Sequence, residues 1–77
     1  MTTTTNRTQY DNGRTLTEIR RGGLGCNVWS NHDGSRLVCF GVMHGAQFVA
    51  SHRKPAKTYK TEATAQRAVL RWLDAGR

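Results

Sequence analysis

CNVWSNHDGSRLVCFGVMHGAQFVASH, running from Cys26 to His52, decides the fold. It alternates runs rich in β-branched and aromatic residues with two short breaks, Asn31-His32-Asp33-Gly34 and His44-Gly45. Asp-Gly and His-Gly between such runs are hairpin signals, because glycine supplies the positive φ that tight hairpin turns demand. The stretch therefore reads as a three-stranded antiparallel meander of CNVWS, RLVCFGVM and AQFVASH. Pro55, which has no N–H to give to a ladder, marks the end of the last strand.

Turn length sets which side chains share a face. With two-residue loops at Asp33-Gly34 and His44-Gly45, one face carries Cys26, Val28, Leu37, Cys39, Gly41 and Phe48. The other carries Trp29, Arg36, Val38, Phe40, Val42 and Arg53. Phe48 then lies opposite Gly41, where its ring covers the bare glycine. Downstream, Thr61 through Ala75 reads as an amphipathic helix, with Thr61 as N-cap, Ala65, Ala68, Val69, Trp72 and Leu73 on one stripe, and Gly76 as the C-cap residue. The first sheet face, rich in small residues, is the expected seat of a helix bearing Trp72. The second face needs a cover. The N-terminal arm, a second copy of the chain in a homodimer, or a ligand would each supply one.

Upstream, TLTEIRRGG is ambiguous: Thr15 and Glu18 have capping-box spacing, while Leu16, Ile19 and the threonines suit a short edge strand. We read it as a fourth, edge strand near Leu16 to Arg21. Residues 1–14, MTTTTNRTQYDNGR, have no apolar periodicity and read as a flexible N-terminal arm. The expected architecture is α+β: a three- or four-stranded antiparallel sheet packed on one C-terminal helix, with residues 15–77 as a single β-β-β-α domain.

The 77 residues are enough for one small domain and a modest core. Lys plus Arg number 12 against 5 Asp plus Glu, a formal charge of +7, which favours polyanionic partners or acidic protein surfaces. No apolar stretch approaches the roughly 18 to 20 residues of a membrane span, and the opening residues offer no secretory h-region. A cytoplasmic protein with no membrane association is the expectation, and with it reduced thiols at Cys26 and Cys39.

The charge concentrates in HRKPAKTYKTE, from His52 to Glu62, just before the helix. Cations at a helix N-terminus oppose the macrodipole, whereas orphan N–H groups beside Lys and Arg form a phosphate site. The candidate nucleic-acid-binding residues are Arg53, Lys54, Lys57, Tyr59 and Lys60 from this loop, with Arg20, Arg21 and Arg36 from the sheet. Tyr59 stacks or hydrogen-bonds beside the loop in this reading. Catalysis finds no support: Asp11, Asp33, Asp74, Glu18 and Glu62 form no acid–base pair, and a Cys39–His52 nucleophile sits in no activating motif. The spacings of Cys26, Cys39, His32, His44 and His52 match no zinc motif, and Gly23-Leu24-Gly25 lacks the Lys-Ser/Thr of a phosphate loop. No catalytic residue, metal or cofactor is expected.

Three strands followed by a helix that starts TYKTEATAQRAVLRWL resemble the small DNA-binding domains of ethylene-response transcription factors and of phage integrase N-termini. Thr61, Glu62, Ala63, Ala65 and Ala68 match the helix pattern, and Arg20-Arg21-Gly22-Gly23 echoes the Arg-Gly-rich first strand. The Gly-Lys-Trp-like second strand of that family has no counterpart here. The resemblance implies a sheet backed by the helix, its exposed face turned to the major groove, and DNA ahead of RNA as ligand. Double-stranded-RNA-binding domains share the sheet and the basic helix start but begin with a helix that this chain lacks. In size and charge the chain is also similar to the inhibitors that phages and plasmids carry against CRISPR and restriction systems, which implies a second function: binding an acidic surface of a host nucleic-acid-handling complex.

Overall fold

The computed structural model describes residues 2–75, so the expected C-cap Gly76 lies outside the described residues. The fold is α+β. Six strands, β1 (Thr3–Gln9), β2 (Thr15–Arg21), β3 (Leu24–Ser30), β4 (Arg36–His44), β5 (Gln47–Ala50) and β6 (Lys57–Tyr59), precede one helix, α1 (Glu62–Ala75). The sheet is antiparallel in the order β1-β2-β3-β4-β5, and β6 pairs with the opposite end of β4 from β5. Two strands exceed the expected three or four. The first is β1, which replaces the expected arm over Thr3–Gln9: its four threonines have high β propensity, and β2 offers them an edge in unbroken register from Thr3↔Arg21 to Gln9↔Thr15. The second is β6, which resumes pairing after Pro55 has interrupted it.

The β3–β4 turn differs from expectation by one residue. Asn31 N–H donates to Ser35 O at 2.9 Å and Gly34 N–H to Asn31 O at 3.1 Å, which closes a three-residue loop of His32, Asp33 and Gly34. Gly34 takes the positive φ of 90° that this loop type demands at its last position. Asp33 Oδ1 accepts from the Ser35 amide and hydroxyl, which holds the Asp33 carboxyl below its usual range. The extra loop residue turns β3 over relative to β4, so that Cys26 pairs with Phe40 and Val28 with Val38.

The helix consequently packs over Cys26 and Val28 of β3, as expected, but over the opposite face of β4, where Val38 and Phe40 replace Leu37 and Cys39. Cys26, Val38 and Phe40 from the sheet and Ala65, Val69 and Leu73 from α1 are the buried core, flanked by Ile19, Leu24, Val28, Tyr59, Ala68 and Trp72. The reason is continuity. In the actual register this face is apolar along β3 and β4, whereas the other is interrupted by Glu18, Arg20 and Asn27. Trp72 stacks edge-on against Phe40 at 5.9 Å between centroids and donates from Nε1 to Gly41 O at 3.1 Å. At the helix start, Thr61 Oγ1 accepts from Thr64 N–H at 3.3 Å. An Arg21–Asp74 ion pair at 2.7 Å ties the far end of α1 to β2.

Phe48 lies on the open face, away from the helix. Its Cα partner is Met43, because the β4–β5 turn is Gly45-Ala46 rather than His44-Gly45. The ring nevertheless covers Gly41 as expected: a Cβ there would meet Phe48 Cζ at 2.6 Å and the Val49 carbonyl. On the same face Tyr10 packs on Trp29 at 5.3 Å, with the Arg14 guanidinium 5.0 Å from the Trp29 centroid. Arg20 sits 5.0 Å from the Phe48 centroid. Part of the cover for the open face thus comes from the turn that follows β1.

Two outcomes follow from this core. Phe40→Ala should destabilise the chain by about 3–5 kcal/mol in urea titration, and Phe48→Ala, whose ring is only half-buried, by less. Burial pushes the Cys26 thiol up to about 12, with the charges of Arg20 and Lys54 opposing the rise. The unfolded chain loses this proton first as pH rises, so the stabilisation is whole below about pH 9 and declines towards about pH 12. Urea midpoints between neutral pH and pH 10 should therefore fall more steeply for the parent chain than for Cys26→Ala; equal slopes would count against a thiol held neutral by burial.

Candidate functional site

After β5, Ser51 N–H still reaches Phe40 O at 2.9 Å, and the chain then leaves the sheet through residues 52–56 before rejoining it as β6. This detour runs beside one flank of α1. Between them lies an open cleft of about 630 Å³, lined by Arg53, Lys54 and Lys57 from the loop and β6, and by Thr64, Arg67 and Arg71 from the helix. Its floor is apolar, formed by Phe40, Pro55, Ala56, Tyr59 and Ala68. Among the described residues, no carboxylate lines it. Thr64, Arg67 and Arg71 recur at helical spacing beside the buried stripe, which is why the arginines project along the rim while Ala68 stays against the sheet.

Two of the cations are placed against aromatic rings. Lys54 Nζ lies 5.0 Å from the Phe40 centroid and Lys57 Nζ 5.4 Å from that of Tyr59. Such contacts hold an ammonium over an apolar floor without neutralising it, leaving its donors for an external acceptor. Phe40 is itself buried in the core and Lys57 lies over the Tyr59 ring, so neither ring offers a free face to a base. The helix N-terminus contributes less than the sequence suggests. Thr61 takes the Thr64 amide, and the cations of the cleft lie along the flank of α1 beside Thr64, Ala68 and Arg71.

Of the eight residues that the sequence singles out, the cleft unites Arg53, Lys54, Lys57 and Tyr59. It does not include Lys60, Arg20, Arg21 or Arg36. Arg20 points to the open face, where it donates to Ile19 O, Cys26 O and Asn27 Oδ1 and pairs with Glu18 at 3.1 Å. Arg21 is held by Asp74 and by Thr3 Oγ1. Arg36 donates to the carbonyl oxygens of Gly34 and Ser35 at 2.7 and 3.2 Å and lines a second, smaller groove of about 240 Å³ beside Arg7, Glu62 and Gln66. Arg67 and Arg71 are the members the sequence reading missed. Their signal was present, an i, i+4 pair next to the apolar stripe, but only the position of the loop makes that flank a wall.

Cys26 and Cys39 are free thiols, and among the described residues no three His, Cys, Asp or Glu side chains cluster as metal ligands would. No described helix is long and apolar enough to cross a membrane. No protein-family model, curated protein or solved structure matches the chain.

Proposed function

We propose that this chain is a nucleic-acid-binding protein, not an enzyme, which grips phosphates in the cleft between the 52–57 segment and α1. One observation carries the reading: Arg53, Lys54, Lys57, Arg67 and Arg71 line a single cleft to which no carboxylate of the described residues contributes. Cations so crowded repel one another, and a chain of phosphates relieves that repulsion while releasing its own counterions. Because lysines cover the Phe40 and Tyr59 rings, the cleft suits the backbone better than the bases, and binding tolerates sequence. The open sheet face is less suited to base reading. Arg20 at its centre uses its donors on Glu18, Asn27 and two carbonyl oxygens.

With up to five contacts, log K for duplex DNA should fall by about 4 to 5 per tenfold rise in salt, and for a single strand by roughly 3.5. Fluorescence anisotropy with labelled DNA and RNA of mixed sequence measures both and ranks DNA against RNA. Lys54→Glu combined with Lys57→Glu and Arg71→Glu should abolish binding. Arg36→Ala, outside the cleft, should leave the salt slope unchanged, where loss of a phosphate contact would reduce it by about 0.9. A folded chain that binds neither polymer at low salt would overturn the proposal and redirect the cleft to an acidic protein surface. That target would be sought by pull-down from a nuclease-treated bacterial lysate, the setting in which an anti-CRISPR or anti-restriction inhibitor would retain its partner.

A further inference from the structure

The two ends of the sheet are finished differently. At the β4 end the outer strands are β5, of four residues, and β6, of three, with Lys57 in β6 and Pro55 just before it. Short length, charge and proline are the devices that stop a sheet edge from recruiting another strand. At the other end, β1 is seven residues long, exposed throughout and continuous in register with β2. It has no proline, lysine or bulge, and Arg7 is its single charge. β1 pairs with β2 alone, so the outward N–H and C=O groups of its backbone have no ladder partner among the described residues.

We propose that this edge is the interaction surface for a second copy of the chain, β1 pairing antiparallel with β1 about a twofold axis at Asn6. The strand TTTNRTQ is self-complementary in that register. Thr3 faces Gln9, Thr4 faces Thr8, Thr5 faces Arg7, and Asn6 faces its own counterpart, so all seven residues pair and no like charges are directly opposed, the two Arg7 side chains being diagonal neighbours. Threonine pairs across strands are favourable, whereas opposed like charges are not. The densest positive charge lies away from this edge, and salt screens the remainder of the +7 that each copy carries. Arg53, Lys54, Lys57, Arg67 and Arg71 lie beyond β4 and along α1, across the sheet from β1, and Arg21, the partner of Thr3, is neutralised by Asp74. A foreign strand finds little here to select it, since one arginine is the only charge on offer. The open sheet face is a weaker dimer surface, because Tyr10, Arg14 and Arg20 already cover parts of Trp29 and Phe48. The pairing does not depend on phosphate binding. It would place two cation-rich clefts at the ends of one continuous sheet.

The test is sedimentation equilibrium of the full chain, freed of nucleic acid and followed from micromolar to near-millimolar concentration, in salt that screens its charge. A species of twice the 8.6 kDa chain mass should accumulate with concentration. Asn6→Lys, which sets two lysines against each other at the axis, should weaken association at least about tenfold while circular dichroism stays unchanged. Asn6→Cys should cross-link copies under mild oxidation, because directly opposed Cα atoms lie about 4.5–5.5 Å apart, within disulfide reach. Thr4→Cys alone should cross-link no more than the parent chain, whose Cys39 sets the background. A monomer at every concentration would overturn the proposal. So would a dimer indifferent to Asn6→Lys in which Asn6→Cys fails to cross-link, and this second arm decides the matter even where the lysine variant unfolds.

Discussion

Asn31 and Ser35, bonded to each other across His32, Asp33 and Gly34, set the register of β3 against β4, and the remaining architecture depends on that register. One residue fewer in this loop would swing Cys26 and Val28 away from Val38 and Phe40 and divide the present core between the two faces. With the loop as it is, Cys26, Val38 and Phe40 meet Ala65, Val69 and Leu73, and the polar residues Glu18, Arg20 and Asn27 collect on the far side. The turn is itself secured by side chains. Asn31 Nδ2 donates to Ser35 Oγ at 2.9 Å, and Asp33 accepts from the Ser35 hydroxyl at 2.6 Å.

β4 is the strand on which both the fold and the cleft converge. Its nine residues pair with β3 on one side and with both β5 and β6 on the other. The interval between β5 and β6 must therefore loop out and return, and it carries Arg53, Lys54 and Pro55 as it does so. Since α1 lies across the same strand, the loop lands beside Arg67 and Arg71. The cleft is thus a by-product of one strand serving two short partners. Its crowding of like charge adds nothing to the stability of the fold.

A sheet of this breadth with a single helix cannot cover both faces, and the chain manages the remainder with local contacts. Tyr10 and Arg14 pack over Trp29, and Arg20 over Phe48, so the rings of the open face are shielded by guanidinium groups that are themselves held by Ser30, Asn31, Glu18 and Asn27. Gly41 illustrates the same economy of space. Phe48 covers it on the open face, and Trp72 bonds its carbonyl oxygen, so a side chain there would displace both its ring cover and the neighbouring Val49 backbone.

The amino-acid sequence by itself determined the α+β class, the meander between Cys26 and His52, the helix with its Thr61 cap and Ala65–Val69–Leu73 stripe, and the basic loop before it. These are properties of local periodicity and turn chemistry, which act within a few residues. Two further strands, β1 and β6, escaped notice because neither has an apolar alternation of its own, and each forms only when a neighbouring edge presents hydrogen-bonding groups to it. The face chosen by the helix was decided by tertiary structure, since an Asp-Gly turn admits loops of two or three residues and the core selects the register that makes one face continuously apolar. Tertiary structure also sorted the cations. Arg20, Arg21 and Arg36 resemble Arg53 in the sequence, yet the first three are held by nearby carboxylates and carbonyl oxygens, while Arg53 shares its cleft with Arg67 and Arg71 across a contact between loop and helix that no local pattern encodes.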